Sequence, residues 1–170
     1  MPHIFLYGAA FPPEGDAHAA ARALLALALR DAWGWNETPP MAWGKYGKPF
    51  FLGLPDRQFS LSHTAGLCVC ALSGCGAVGA DIERVRPRRD GLPRFVMSDG
   101  EFAAFSGTWE DFTRIWTLKE AYVKLRGGSI LPPREVPAPP PVPYRSYAGD
   151  GWRAALCAEG GNLPGEIRWV

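Results

Sequence analysis

Three stretches of the sequence carry residue types that could bind a cation or handle a phosphate. The first is VGADIERV, in which Asp81 and Glu83 are two apart. On a strand that spacing puts both carboxylates on one face, opposite Val78, Ala80 and Ile82. Paired carboxylates repel each other unless a cation sits between them. An all-oxygen pair suits Mg²⁺, which keeps several waters and takes further ligands from phosphate. The same pair also arises by chance on exposed strand faces. The second stretch is Thr108 to Arg126, where Trp116, Glu120 and Lys124 recur every fourth residue. Ile115, Leu118, Tyr122 and Leu125 form an apolar stripe on the other side of the same helix. Glu120 and Lys124 could be no more than a solvated i,i+4 pair, worth about 0.2–0.5 kcal/mol. A large aromatic on their row suggests instead that something covers it. The third stretch holds Lys48 in GKP and Ser62-His63 in FSLSHT. Taken singly, such a histidine is more often a hydrogen-bonded structural residue than a ligand, and such a lysine is usually only exposed.

The elements that must position these residues follow from pattern. A short strand is expected over His3 to Tyr7, then a helix capped by Asp16 and running to about Trp33. Residues 36–58 are rich in Pro and Gly and read as extended, turn-rich chain. Strands are expected over Gln58 to Ser62, Leu67 to Ser73 and the VGADIERV segment. The glycines around Cys75 suggest that the last two form a hairpin. Ser98 and Glu101 fit a capping box opening a short helix to about Phe105. Thr108 and Asp111 can cap the long helix, which stops at Gly127-Gly128. Residues 132–143 hold seven prolines and read as a rigid connecting loop rather than a partner-binding motif. Two or three strands follow, with a turn at Gly149-Asp150-Gly151.

Composition limits the alternatives. The chain has 170 residues, 47% of them hydrophobic, enough to bury a core without staples. A formal charge of +1 argues against a global grip on nucleic acid. No apolar stretch is long enough to span a bilayer, and the N-terminus lacks a secretory pattern, so a cytoplasmic protein is expected. Cys68, Cys70, Cys75 and Cys157 contain no CxxC and read as reduced, mostly buried thiols.

Taken in order, GKPFF, FSLSHT, VGADIE, RFVMSDGEFAAF and WTLKEAYVKLRGG resemble the 4'-phosphopantetheinyl transferases, and more narrowly their surfactin-synthetase-activating type. The resemblance covers roughly Gly47 to Leu131. It implies an α+β fold of two small pseudo-symmetric lobes, each a helix packed on a short, mostly antiparallel sheet, with the active site in the cleft between them. The lobes would divide as residues 1–76, shortened relative to larger members, and 77–170. The resemblance further implies that Asp81, Glu83 and Glu120 hold Mg²⁺, or Mn²⁺, together with the pyrophosphate of coenzyme A. Lys124 would contact a phosphate, Lys48 the 3'-phosphate, and Ser62 and His63 the coenzyme phosphates. Glu120, Lys124 and His63 would be catalytic, with Glu120 as the serine's proton acceptor. Lys119 lies in the motif without an assigned role. The implied reaction moves the phosphopantetheine arm of coenzyme A to a serine of an acyl or peptidyl carrier protein and releases adenosine 3',5'-bisphosphate. A monomer is expected, with no nucleic-acid or membrane partner.

Departures from the family pattern bear on the nucleotide rather than the metal. Basic residues before Lys48 are sparse, and Arg22, Arg30 and Lys45 are the candidates there. Arg84, Arg86, Arg88, Arg89 and Arg94 form a basic cluster that could steer an acidic carrier protein. Two other functions fit single features. One is a Mg²⁺-dependent nucleotide-sugar transferase or phosphohydrolase using Asp81 and Glu83. The other is a non-catalytic coenzyme A-binding or scaffold protein using the proline-rich segment.

Overall fold

The structure, a computed structural model, describes residues 3–170. The chain is α+β. Strand β1 (Ile4–Ala10) leads into helix α1 (Ala17–Trp33), which starts where the Asp16 carboxylate accepts the Ala19 N–H and ends at Gly34 in the left-handed region. A small hairpin follows, β2 (Met41–Trp43) with β3 (Pro49–Phe51), within the segment expected to be turn-rich. Then come β4 (Gln58–Thr64), β5 (Leu67–Ser73) and β6 (Val78–Arg84). Short helices α2 (Leu92–Val96) and α3 (Asp99–Ala104) precede the long helix α4 (Trp109–Arg126). The chain closes with β7 (Tyr144–Gly149), β8 (Trp152–Ala158) and β9 (Arg168–Trp169).

Two sheets are stacked between two helices. The first runs β4-β5-β1-β9 and the second β6-β8-β7. Period-2 alternation divides each strand between two cores. Leu67, Val69 and Ala71 of β5 join Ile4 and Leu6 against Val78, Ala80, Ile82 and Leu156 of the second sheet. Cys68, Cys70 and Leu72 face the other way, onto Leu24, Leu25, Ala28 and Leu29 of α1. Leu118, Ala121, Tyr122 and Leu125 of α4 pack on Ala155 and Cys157 at the outer face of the second sheet. The expected burial of Cys68, Cys70 and Cys157 as free thiols is observed.

The expected β5–β6 hairpin does not form. β5 is a central strand, paired antiparallel to β4 on one edge and β1 on the other, so neither edge is open to β6. Residues 74–77 instead carry the chain from the first sheet to the second. Alternation fixes which face each residue takes but says nothing about which strand lies beside it. The last strand, β9, returns to pair in parallel with β1, so the C-terminus rejoins the first sheet.

The two sheets also meet along an unusual seam. The hydroxyls of Ser60, Ser62 and Thr64 accept the backbone N–H groups of Ala80, Ile82 and Arg84, at 3.0, 3.2 and 3.4 Å. The edge of β6 is thus satisfied by side chains of β4 rather than by a backbone ladder.

Helix α4 is enclosed on more sides than its apolar stripe suggests. Sheet strands β6 and β8 cover one side, and the proline-rich strap packs Val136, Ala138 and Val142 against the same cluster. Lys119 is fully buried beneath that strap. Its ammonium pairs with Glu101 at 2.7 Å and donates to the carbonyls of Pro133 and Val136. Glu101 closes the capping box with Ser98 and also accepts the Ala138 N–H. One buried ion pair therefore joins α3, α4 and the strap. The strap acts as the expected connecting loop, fixed in place by its backbone carbonyls.

Candidate active site

The predicted residues come from four elements, and their placement starts with a glycine. A Cβ at Gly79 would lie 2.0 Å from the Ala121 carbonyl oxygen and 2.3 Å from the Leu125 nitrogen. Only a hydrogen fits there, so α4 crosses directly over β6. That close crossing sets Glu120 and Lys124 of the helix beside Asp81, two residues along the strand.

Asp81 is the centre of the arrangement. Its Oδ1 accepts from the Lys124 ammonium at 2.7 Å and the Ser62 hydroxyl at 2.8 Å. Its Oδ2 is buried and has no hydrogen-bond partner. A buried carboxylate oxygen left unsatisfied is costly, by about 1–3 kcal/mol or more, and calls for an unseen partner. Glu120 has its pKa pushed up to about 7, first by burial and then by the charges of Asp81 and Glu83, with Lys124 opposing. Glu83 is also raised, by burial and by Asp81. Asp81, Glu83 and Glu120 therefore share one electrostatic neighbourhood, although Glu120 lies 37 residues beyond Glu83 and 39 beyond Asp81 in the chain.

Among the described residues, no three His, Cys, Asp or Glu side chains are grouped tightly enough to hold an ion. The reason lies in their present partners. Lys124 occupies one oxygen of Asp81, and Glu83 is drawn to Arg88 at 3.2 Å. The donor chemistry nevertheless fits a hard divalent cation. After burial, the charge of Asp81 raises the pKa of both Glu83 and Glu120, and a buried Asp81 oxygen lacks a partner.

A cavity of about 370 Å³ opens beside this centre. Lys48, Ser60, Glu120, Lys124 and Ser129 contribute polar side chains to it, and Gly127 and Gly128 form part of its wall. Lys48 enters from the loop before β3. Its ammonium donates to the carbonyls of Val78 at 3.0 Å and Leu125 at 3.2 Å, bridging the start of β6 and the end of α4. Burial lowers its pKa to about 8. Ser62 is placed differently from Lys48, because its hydroxyl is spent on Asp81 and the Ile82 N–H. His63 is exposed at the end of β4, beyond the cavity wall, and is influenced by Lys124 and Asp81. Lys119, next to Glu120 in sequence, points away from all of these into the strap.

The basic cluster after β6 is divided by the fold. Arg88 pairs with Glu83, Arg84 donates to the Ala65 carbonyl, and Arg94 lies over the Phe102 ring at 4.6 Å. Arg86 and Arg89 remain exposed. Charge reversal at Arg88 would thus disturb Glu83 as well as any steering field. Sequence reasoning missed this pairing and the Ser62–Asp81 bond, since neither leaves a periodic trace. The glycine before Asp81 was the available signal for the close helix crossing, because a glycine inside a strand often marks a near approach of backbone.

Comparison with known proteins agrees with this geometry. Residues 77–142 match the family model of the 4'-phosphopantetheinyl transferase superfamily, a stretch that holds Asp81, Glu83, Glu120 and Lys124. The chain is 40% identical over 127 residues to the 4'-phosphopantetheinyl transferase AcpT of Salmonella typhi, covering 69% of this chain and 63% of that protein. It is 40% identical over 124 residues to AcpT of Escherichia coli K12, covering 69% of this chain and 60% of the relative. It is 26% identical over 148 residues to the 4'-phosphopantetheinyl transferase Sfp of Bacillus subtilis strain 168, covering 74% of this chain and 66% of the relative. The matched stretch therefore spans less than two thirds of these curated relatives.

Proposed function

The chain belongs to the 4'-phosphopantetheinyl transferase superfamily, and from that premise we propose that it transfers the phosphopantetheine arm of coenzyme A to a serine of an acyl or peptidyl carrier protein. The observation that carries this reading is the shared electrostatic neighbourhood of Asp81, Glu83 and Glu120, with one buried Asp81 oxygen unpartnered, beside a cavity lined by Glu120, Lys48 and Lys124.

Asp81, Glu83 and Glu120 are the residues that would hold Mg²⁺ or Mn²⁺. When bound, the ion supplies charge neutralisation and orientation for the pyrophosphate. Ser62 fixes the Asp81 carboxylate from behind, and Gly79 fixes the distance between strand and helix. In the transfer, the serine oxygen forms a new bond to the phosphorus on the pantetheine side. The bond from that phosphorus to the oxygen bridging to the nucleotide breaks, and adenosine 3',5'-bisphosphate leaves. Glu120 faces the cavity and is the group suited to accept the serine proton. Lys124 lines the same cavity and would stabilise charge on the phosphate oxygens. Lys48, already held in the cavity lining by two carbonyls, has a donor left for the nucleotide's 3'-phosphate.

The test is a mass measurement. The chain is incubated with coenzyme A, Mg²⁺ and a panel of unmodified carrier proteins. The expected result is a carrier heavier by one phosphopantetheine, with equimolar adenosine 3',5'-bisphosphate. Coenzyme A cleavage with no gain of mass on any carrier would make the protein a hydrolase instead.

A further inference from the structure

Two basic side chains stand on the carboxylates of the centre described above, and they hold with different firmness. Lys124, from the long helix α4, meets Asp81 Oδ1 at 2.7 Å. Arg88, from the loop between β6 and α2, meets Glu83 Oε2 through Nη2 at 3.2 Å. A charge-assisted N–H···O bond between such groups is ordinarily about 2.7–2.9 Å, so the second contact is long.

The Arg88 contact is also incomplete. A guanidinium matches a carboxylate best as a fork, with two parallel N–H donors on the two oxygens. Here only Nη2 donates to Glu83, and Arg88 Nε is buried with no hydrogen-bond partner among the described residues. A buried donor left unpaired costs free energy, and leaving this pose would remove that cost. The loop is tied at both ends, by the Val85 N–H to the Gly151 carbonyl at 2.9 Å and the Leu92 N–H to the Arg89 carbonyl at 3.2 Å. Between those ties Arg86, Arg89 and Asp90 are exposed, so a released Arg88 has solvent beside it.

Glu83 has a competing use. Asp81, Glu83 and Glu120 are not grouped tightly enough at present to share an ion, so Glu83 must turn from Arg88 to join the other two. At equal distance a divalent cation attracts a carboxylate more strongly than a guanidinium does, because its charge is doubled. The exchange trades one long, one-donor ion pair for a contact with that ion.

We propose that Arg88 is a latch on Glu83: it holds this carboxylate in the metal-free chain and yields it to a divalent cation, swinging out beside Arg86 and Arg89. The inference rests on the metal reading above and deepens it, because it makes a residue that is not a ligand set the affinity of the site. Arg88 is thus a positioning residue, and loading the metal adds a third arginine to the exposed face of the loop.

The experiment has two arms on the full chain. In the first, Mn²⁺ affinity is measured in wild-type, Arg88→Gln and Arg86→Gln chains. Arg86 is the control, since its charge also reaches Glu83 but it makes no pair with it. Removing the latch should tighten Mn²⁺ binding about threefold to tenfold in Arg88→Gln, with a clearly smaller gain in Arg86→Gln. In the second arm, the Arg88 Nε–H resonance is identified by its absence from an Arg88→Lys chain and followed in wild type. It should be protected from solvent exchange without metal and lose that protection as Mg²⁺ is added. Equal Mn²⁺ affinity in Arg88→Gln and wild type, equal gains in both glutamine variants, or an Nε–H signal unmoved at saturating Mg²⁺ would each overturn the latch and leave the metal reading intact. A wild-type chain that bound no Mn²⁺ would overturn that reading and the latch with it.

Discussion

Adjacent residues on α4 have opposite duties, and this decides what each substitution should do. Glu120 faces the cavity, whereas Lys119 is turned by about 100° into the strap and is fully buried with Glu101. Removing one partner of a buried ion pair leaves the other uncompensated, at about 3–5 kcal/mol. Lys119→Met should therefore lower unfolding stability by that order in urea titration, and Glu101→Gln should lower it as well. A Lys119→Met chain as stable as wild type would show that the Lys119–Glu101 pair does not hold the strap to α4. Glu120 behaves in the opposite sense to a salt-bridged carboxylate. Its pKa is raised from an ordinary 4.5 to about 7, so the folded chain takes up a proton that the unfolded chain has lost. In the metal-free protein, stability from this group is fully present below 4.5 and is lost as pH rises towards 7. Melting temperature without metal should fall across that window, and Glu120→Gln should flatten the slope. At this scale the sequence made the carboxylates and Lys124 legible through their motifs. The Lys119–Glu101 and Ser62–Asp81 bonds were illegible because they join residues 18 or more positions apart.

Elements were readable where their ends carry chemistry. Asp16, Ser98 and Thr108 each accept the backbone N–H expected of a cap, and Gly127 closes α4 in the left-handed region. The pairing of β5 was not readable, because its residues are apolar on both faces and both edges are taken. The contact of α4 with β6 hinges on Gly79. Inserting a methyl group against helix backbone cannot be absorbed by a side-chain rotation, and overpacking of this kind costs about 1–3 kcal/mol or more. Gly79→Ala should destabilise the fold by at least that order. It should also reduce metal affinity, since the helix that carries Glu120 must move away from Asp81. Full metal affinity in a Gly79→Ala chain would separate the crossing distance from the site.

The molecule as a whole is two sheets stacked between α1 and α4, and the site lies where the first sheet's edge strand meets the second's. The α+β class and the helix-on-sheet units follow from the resemblance and from alternation. The hydroxyl seam between β4 and β6 could not be foreseen, since Ser60, Ser62 and Thr64 look like ordinary polar positions of a strand. Each hydroxyl satisfies a backbone donor of β6, and leaving such a donor unpaired costs about 1–3 kcal/mol. Ser60→Ala should lower stability by that amount, read by chemical denaturation. Ser62→Ala should do so and also free Asp81 from its hydroxyl donor. These bonds make the site a product of how the two sheets are joined. The most direct test of that joint is Mn²⁺ binding, followed by the loss of the free ion's paramagnetic resonance signal in wild-type, Asp81→Asn and Glu120→Gln chains. One site per chain is expected in wild type, strengthening as pH rises through 7 and weakened by either substitution. Equal Mn²⁺ affinity in all three chains would contradict a shared site built from strand and helix.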